Sequence, residues 1–260
     1  MNGTVLTDDP VAGVRVITLN RPARLNAVTP ELVSDLTQEL SRANHDSDIR
    51  AIVLTGAGRA FCSGDDLKEF GAPLAGEAEL HAYIDRIQDV TRLIVLGDKP
   101  VIAAIHGWAV GAGLEWMINC DFAIAAEGSR FFFPEVRLGL FVTGAVTALL
   151  PRMISPQKAR ELIYLGERFD AAQALEWGML WKVVPPAQVL SEATDLARRI
   201  AELPPRPVRD LKRILARATS GRLEDVLTAE CAATVQGFLD PESAKRVADH
   251  NSANISHKSY

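Results

Sequence analysis

The stretch from Pro100 to Asp121, PVIAAIHGWAVGAGLEWMINCD, carries the clearest structural pattern in the chain. Its apolar run Val101–Ile105 predicts a buried strand. A turn punctuated by Gly107, Gly111 and Gly113 follows, and we expect a helix to open near Gly113. The first N–H groups of a helix lack partners, and the positive end of the helix dipole lies behind them. This turn is therefore expected to attract negative charge.

That negative charge is either a bound phosphate or an oxyanion that forms only during a reaction. The spacing G-A-G-L-E-W lacks the third glycine of a dinucleotide-binding fingerprint. No Lys-Ser or Lys-Thr pair follows, as it would in a phosphate-binding loop. A carboxylate, Glu115, stands in the first turn of the predicted helix instead. An acid beside free backbone donors suits proton-transfer chemistry better than phosphate binding.

A second turn of this kind follows the apolar run Ala51–Leu54, in the segment GRAFCSGDDLKEF (residues 58–70). Here Ser63, Gly64, Asp65 and Asp66 are expected to lead into a helix that starts near Asp66. If the two strands are neighbours in a parallel sheet, both turns lie at one edge and their N–H groups can converge. Two converging donors form an oxyanion hole, in which each is worth roughly 3–4 kcal/mol. The alternative is that these glycines only serve tight connections.

Glu115 and Glu135 are the candidate base and acid. The apolar neighbours of Glu115 predict partial burial and a carboxyl poised for proton transfer. The alternative is a first-turn glutamate stabilised by the helix dipole. Glu135 follows FFFP, whose proline removes a backbone donor at a strand end; taken alone, a surface position is the simpler interpretation. Two glutamates beside one set of donors can, however, act as base and acid on one small substrate.

Strand and helix patterns alternate up to about residue 185, and the last third of the chain is almost wholly helical in pattern. This order predicts an α/β core with a helical appendage. The net charge of −5 argues against general nucleic-acid binding. No apolar run is long enough for a membrane span, and no signal-like pattern opens the chain. Three scattered cysteines are typical of a reducing, cytoplasmic setting.

Other reactive side chains give weaker patterns. His106 is expected at a strand end without a serine or cysteine partner, and Cys62 and Ser63 lack an assigned base. The histidines, cysteines and acids show no metal-ligand spacing, so no metal site is predicted.

Four ordered segments resemble the crotonase (enoyl-CoA hydratase/isomerase) family. They are NRPARLNA (20–27), GRAFCSGDDLKEF (58–70), IHGWAVGAGLEWMINCDFAIA (105–125) and FFFPEVRLGL (131–140). The resemblance covers about residues 14 to 185 and implies a spiral core of repeated ββα units with a helical C-terminal region. On this basis we assign residues 1–195 to the crotonase core, which binds the acyl-CoA and performs catalysis. Residues 196–260 are assigned to a helical region for oligomerisation and active-site cover.

The resemblance also implies an acyl-coenzyme A substrate and roles for individual residues. The N–H groups of Asp65 and Ala112 would form the oxyanion hole, and Glu115 and Glu135 would be the two catalytic carboxylates. Arg24 would lie near the phosphates of the coenzyme. Other positions expected along the acyl-CoA are Leu25, Ser63, Gly64, Asp66, Leu67, Trp108 and Gly111. No cofactor is expected, because the thioester activates the substrate, and the family implies a homotrimer or a dimer of trimers.

Family members with both glutamates are usually hydratases, so we expect water addition to a trans-2-enoyl-CoA. Glu115 would activate the water and Glu135 would protonate the α-carbon. The alternatives are an enoyl-CoA isomerase, another enolate-forming enzyme of the family, and a silent acyl-CoA-binding homologue. Asp65 departs from the small residue common at its position. Because its carboxylate would repel the enolate, we expect it to turn away toward Arg59 or Lys68.

Overall fold

The computed structural model describes residues 3–67, 76–220 and 223–256. The strands are β1 (Val5–Val11), β2 (Val14–Leu19), β3 (Ala51–Gly56), β4 (Val101–Ile105), β5 (Trp108–Val110), β6 (Phe122–Ala126), β7 (Arg130–Phe132), β8 (Phe169–Asp170) and β9 (Lys182–Val184). The helices are α1 (Pro30–His45), α2 (Glu77–Val95), α3 (Ala112–Asn119), α4 (Val146–Met153), α5 (Pro156–Leu165), α6 (Ala171–Glu176), α7 (Val189–Ala201), α8 (Pro205–Ser220), α9 (Leu223–Leu239) and α10 (Pro241–Ser256). The predicted α/β architecture with a helical C-terminal region is confirmed.

The main sheet contains six strands in the order β1-β2-β3-β4-β6-β9. Only β1 and β2 pair antiparallel in it; every other neighbouring pair is parallel. In particular β3 pairs with β4, from Ile52 opposite Val101 to Thr55 opposite Ala104. The carboxyl ends of these two strands therefore lie at one sheet edge, which is the arrangement that the sequence argument required.

Helices cover both faces of this sheet. On one face, alternate strand residues such as Ile52 and Leu54 pack in a core with α1, α2 and α3. On the other face, Val53 and Ile102 pack against α7. Burial on both faces explains why the parallel strands read as continuous apolar runs. The predicted division after residue 195 lies within α7 and stays a prediction.

The glycine-rich turn between β4 and α3 is more ordered than the sequence suggests, because it contains β5. This strand pairs with β7 in a second sheet of order β5-β7-β8. Ala109 also forms a parallel bridge with Cys62. Three residues are too few for an alternating pattern, so periodicity could not reveal this strand. The bridge joins the segment before Asp65 to the segment before Ala112.

Two further predictions concern helices. The helix that the sequence predicts from about Asp66 falls largely on residues 68–75, which lie outside the described residues. None of the helices formed by the residues that the structure describes is both long and apolar enough to cross a bilayer.

The Asn26 side chain joins two of the quoted motifs. It is fully buried, and its Nδ2 donates to the carbonyl oxygens of Ala57, Ala60 and Phe61 at 2.9, 2.8 and 3.1 Å. Its Oδ1 accepts from the Arg21 N–H at 2.8 Å. One amide thereby fixes the loop that leads toward Asp65.

Replacing Asn26 by alanine should lower the free energy of unfolding by about 2–4 kcal/mol, because several buried carbonyl groups lose their donor. Urea denaturation followed by circular dichroism measures this change. The control is Asn20→Ala, since within the described chain the Asn20 side chain bonds the Gly3 carbonyl near the surface. An equal loss in both variants would contradict a special role for Asn26.

Candidate active site

The two glycine turns are in contact at the carboxyl edge of the main sheet. Gly64 and Gly111 have φ angles of +81° and +51°, which favour glycine. A Cβ atom at Gly64 would lie 2.9 Å from the Val110 carbonyl oxygen, and one at Gly111 would lie 3.7 Å from the Gly64 Cα. The next residues, Asp65 and Ala112, consequently line one small cavity together.

The N–H groups of Asp65 and Ala112 take no part in the hydrogen bonds of the fold that the described residues form. Ala112 is the first residue of α3, so its N–H lies outside the helical hydrogen bonds. The bridge beside Asp65 uses its neighbours instead, because Val28 N–H donates to Gly64 and Asp66 N–H donates to Val28, both at 2.9 Å. Within the described residues neither Asp65 N–H nor Ala112 N–H has a protein acceptor. Both can therefore donate to a substrate oxygen.

Glu115 is buried, with 1% of its surface exposed. Thr143 donates to both oxygens of this carboxylate, from its N–H to Oε1 at 2.8 Å and from its hydroxyl to Oε2 at 2.6 Å. Burial raises the pKa of Glu115 to about 7, the Thr143 donors oppose the rise, and the Glu230 carboxylate adds to it. The two Thr143 donors favour the ionised form, whereas burial and the Glu230 charge favour the protonated form.

Glu135 directly follows Pro134, just beyond the end of β7, and is 8% exposed. Its Oε2 is buried and has no partner among the residues that the structure describes. Its Oε1 lies 2.6 Å from where a Cβ at Gly111 would be, so only glycine leaves room for this carboxyl. Burial and then the charges of Glu115 and Asp65 raise its pKa well above the usual value. These surroundings therefore favour the protonated form of Glu135.

The Asp65 carboxyl lines the cavity, and the expectation that it turns away toward Arg59 is wrong. Its Oδ1 is buried without a partner among the described residues, and no ion pair with Arg59 occurs there. Lys68 lies outside the described residues. Neighbouring side chains in extended backbone point to opposite sides. Asp66 points toward Arg21, 3.4 Å away, so Asp65 points the other way, toward the cavity. Burial and the Glu115 charge raise the pKa of Asp65 to about 7.

The cavity between these groups measures about 20 Å³, which is enough for roughly one water molecule. Three carboxyl groups line it, and no lysine or arginine among the described residues does so. Neighbouring carboxylates without a cation cannot all be ionised together. In the described part of the chain no group of three His, Cys, Asp or Glu residues is arranged to hold a metal ion.

The first coenzyme candidates lie beside the second glycine turn. Arg24 is exposed at the end of a short 3-10 helix, and Leu25 follows in left-handed conformation. The Leu25 carbonyl accepts from Ser63 N–H at 3.0 Å, so these segments are adjacent. Asp66 is 9% exposed and engaged with Arg21, an ion pair that the sequence did not indicate.

The other candidates separate into two places. Leu67 lines a second, mostly apolar cavity of about 200 Å³, and Leu140 and Phe238 border both cavities. Trp108 lies in the small sheet, where its ring meets Phe132 edge to face at 6.1 Å, and it lines neither cavity. Its predicted place beside the acyl-CoA stays a prediction.

Sequence reasoning missed the residues that complete the site. Thr143 holds Glu115, and Thr234 and Phe238 from α9 form part of the cavity wall. Glu230, also in α9, is 2% exposed although it is charged. The available signal was an isolated acid within the apolar run AECAATV, which is unusual for a solvent-exposed helix face.

Comparison with known proteins identifies relatives of this chain. The family model described as enoyl-CoA hydratase/isomerase matches residues 9–247. The 1,2-epoxyphenylacetyl-CoA isomerase of Escherichia coli K12 is 38% identical over 221 residues, 84% of each chain. A probable mitochondrial enoyl-CoA hydratase of Dictyostelium discoideum is 35% identical over 195 residues, 75% of this chain and 69% of that protein.

Solved structures share the whole fold. The crystal structure of an enoyl-CoA hydratase/isomerase from Mycobacterium paratuberculosis gives a TM-score of 0.88 at 30% identity, covering 96% of this chain and 99% of that one. The predicted crotonase-like fold is thereby confirmed. From the matched motifs, the shared fold and these relatives, the chain belongs to the enoyl-CoA hydratase/isomerase (crotonase) family.

Proposed function

We propose that the protein is an enoyl-CoA hydratase, which adds water across the 2,3 double bond of a trans-2-enoyl-CoA. The observation that carries this proposal is the contrast between the two glutamates. Glu115 accepts two hydrogen bonds from Thr143, whereas Glu135 has a buried oxygen without a partner within the described residues. Hydration needs one carboxylate and one carboxylic acid, and surroundings of this kind supply them.

The proposed mechanism begins with the thioester oxygen between the N–H groups of Asp65 and Ala112. Ionised Glu115 takes a proton from water while the water oxygen bonds to the β-carbon. The π electrons of the double bond move toward the thioester oxygen, and the two N–H groups stabilise the resulting enolate. Protonated Glu135 then delivers its proton to the α-carbon. Proton exchange with solvent returns both carboxyl groups to their starting forms.

We further propose that the reaction needs no separate cofactor, because coenzyme A is part of the substrate. The exposed guanidinium of Arg24 lies at the surface beside the Ser63 turn, where phosphates can remain in water. Leu140 and Phe238 separate the reaction chamber from the apolar cavity of about 200 Å³. Movement of these two side chains would give an acyl chain apolar space beyond the reacting carbons.

The second candidate is isomerisation or another enolate-forming reaction of the same family. The specific observation in its favour is the third carboxyl group, Asp65, in the chamber. A proton taken from one carbon can return to another through such a group. One relative, 38% identical, is itself named as an isomerase.

Two substrates distinguish hydratase activity from isomerase activity. Hydratase activity would consume the conjugated thioester absorbance of crotonyl-CoA, and water labelled with ¹⁸O would enter the product at the β-carbon. Isomerase activity would instead create that absorbance from a 3-enoyl-CoA. Turnover of the second substrate alone would refute the hydratase proposal, and binding without turnover of either would indicate a silent homologue.

We also propose assembly as a homotrimer or a dimer of trimers, and a cytoplasmic location. The exposed side chains of Leu211 and Ile214 in α8 offer apolar surface for contact between copies. Sedimentation equilibrium tests the assembly, and a concentration-independent monomer would refute it. The free cysteines Cys62, Cys120 and Cys231 support the reducing location.

Replacing Glu135 by glutamine should lower kcat about 10²- to 10⁴-fold, because the amide cannot supply the proton. Binding of a non-reactive acyl-CoA thioether, measured by calorimetry, should change little since the side-chain shape is kept. The control is Glu127→Gln at an exposed position, which should retain activity. Full activity of the Glu135 variant would show that another group donates the proton.

The pH profile of kcat/KM should be bell-shaped. Activity should fall as the pH drops through about 7, where Glu115 becomes protonated, and fall again at higher pH where Glu135 loses its proton. Asp65→Asn keeps the backbone donor but removes one charge that disfavours ionisation of Glu135. Its alkaline limb should therefore lie at lower pH than that of the wild type.

The control for Asp65→Asn is Asp48→Asn, since Asp48 is exposed. An alkaline limb that stays in place in the Asp65 variant would mean that this carboxyl does not act on Glu135.

The free energy of unfolding should depend on the protonation of the same groups. Glu115 and Asp65 have raised pKa values, so their contribution is full below the unfolded values near 4 and is lost as the pH rises through about 7.

A further inference from the structure

The loop that holds Glu115 is anchored to α3. Asn119, one turn after Glu115 in α3, donates from Nδ2 to the Gly144 carbonyl at 2.7 Å. Its Oδ1 accepts from the Thr91 hydroxyl at 2.8 Å, which fixes the orientation of the amide. A Cβ atom at Gly144 would lie 2.9 Å from the Glu115 Cβ, so the loop packs directly on the glutamate.

The opposite side of this loop is anchored by Glu230. Its Oε2 accepts from Ala145 N–H at 2.6 Å, and its Oε1 accepts from the Thr147 hydroxyl at 2.8 Å and the Thr147 N–H at 3.3 Å. These groups belong to the start of α4, where backbone donors would otherwise be unsatisfied. One carboxylate from α9 therefore fixes the residues that come directly after Thr143 and Gly144.

A purely structural role explains this arrangement incompletely. A buried carboxylate carries a desolvation cost, and the oxygen of a neutral side chain could accept from the Ala145 N–H without burying a charge. Apolar packing between α9 and Ala145 is already supplied by Leu227. The charge needs a separate explanation, and its position relative to Glu115 offers one.

We propose that Glu230 is a positioning residue for Glu115, which fixes the Thr143–Ala145 loop and, through the two Thr143 donors, the place of the catalytic carboxylate. This inference rests on the proposed function of Glu115 as the base. Removal of the Glu230 anchor would let the loop shift together with the carboxylate that it binds, which misplaces the base relative to the attacking water while the Thr143 donors stay on it. The same removal would take away one negative charge that faces Glu115.

The loss of this negative charge gives an experimental signature that a purely structural hydrogen bond would not give. Titratable groups that face Glu115 are Asp65 from the glycine turn, Glu135 from the segment after β7, and Glu230 from α9. The neighbouring α2 presents the apolar Ile84 and Ile87 to the chamber. The negative charge of Glu230 raises the pKa of Glu115, and burial raises the pKa of Glu230 itself to about 7. A neutral residue at position 230 should therefore let Glu115 ionise at lower pH.

The decisive variant is Glu230→Gln, compared with Glu224→Gln as a control on the same helix. Glu224 has a largely exposed carboxylate that meets Arg92 at 3.4 Å, far less buried than Glu230. We expect Glu230→Gln to lower kcat on the active enoyl-CoA by about 10- to 100-fold through misplacement of the base. KM should change less than threefold, and the acid limb of kcat/KM should move to lower pH. The control should change none of these.

A folded Glu230→Gln protein with unchanged kcat and an unchanged acid limb would overturn the proposal. If that variant fails to fold, Thr147→Val provides the test, because it removes only the hydroxyl donor to Glu230. It should lower kcat with KM preserved, and an unchanged kcat would again overturn the proposal.

Infrared titration separates this inference from the proposed function. The carboxyl band assigned to Glu115, by its loss in Glu115→Gln, should titrate at lower pH in Glu230→Gln than in the wild type. This measurement needs no substrate. Wild-type protein without turnover would refute the proposed function, whereas an unshifted Glu115 band would refute the inference about Glu230.

Discussion

The site depends on the contact between Gly64 and the Val110–Gly111 backbone. Any Cβ at Gly64 would press on the Val110 carbonyl at 2.9 Å, so the turns reach this separation only without side chains. The close approach leaves the N–H groups of Asp65 and Ala112 without partners among the described residues, at a sheet edge. Unpaired donors are normally costly in a folded protein. These two are free to donate to a group that enters the cavity.

Repulsion between carboxylates in the chamber works against a second negative charge there. Asp65, Glu115 and Glu135 line a space without a described cation, and Glu230 stands behind Glu115. The fold tolerates them by giving each a different environment. Glu115 receives two donors from Thr143, while Glu135 receives none on its Oε2 within the described chain. The Thr143 donors thus oppose the rise in the pKa of Glu115, so the two glutamates do not share one environment.

Much of this could be read from local sequence. Glycine spacing and apolar runs predicted β3, β4 and the two turns, and the motifs predicted which glutamates to compare. The missing parts depend on contacts distant in sequence. The three-residue β5 is defined by pairing with β7 and has no period of its own, and Thr143 meets Glu115 across 28 residues. The predicted orientation of the Asp65 side chain was wrong. Side-chain alternation around the Val28 bridge decides it, and the proximity of basic residues in sequence does not.

The anchoring of the α4 start by α9 has a consequence for synthesis of the chain. A nascent polypeptide that has left the ribosome as far as α4 contains both glutamates and both glycine turns, yet lacks Glu230. Its Thr143 loop is held from α3, by Asn119 and Glu115, until α9 emerges. The Ala145 N–H therefore meets its Glu230 acceptor only after a segment 85 residues further along the chain has been made.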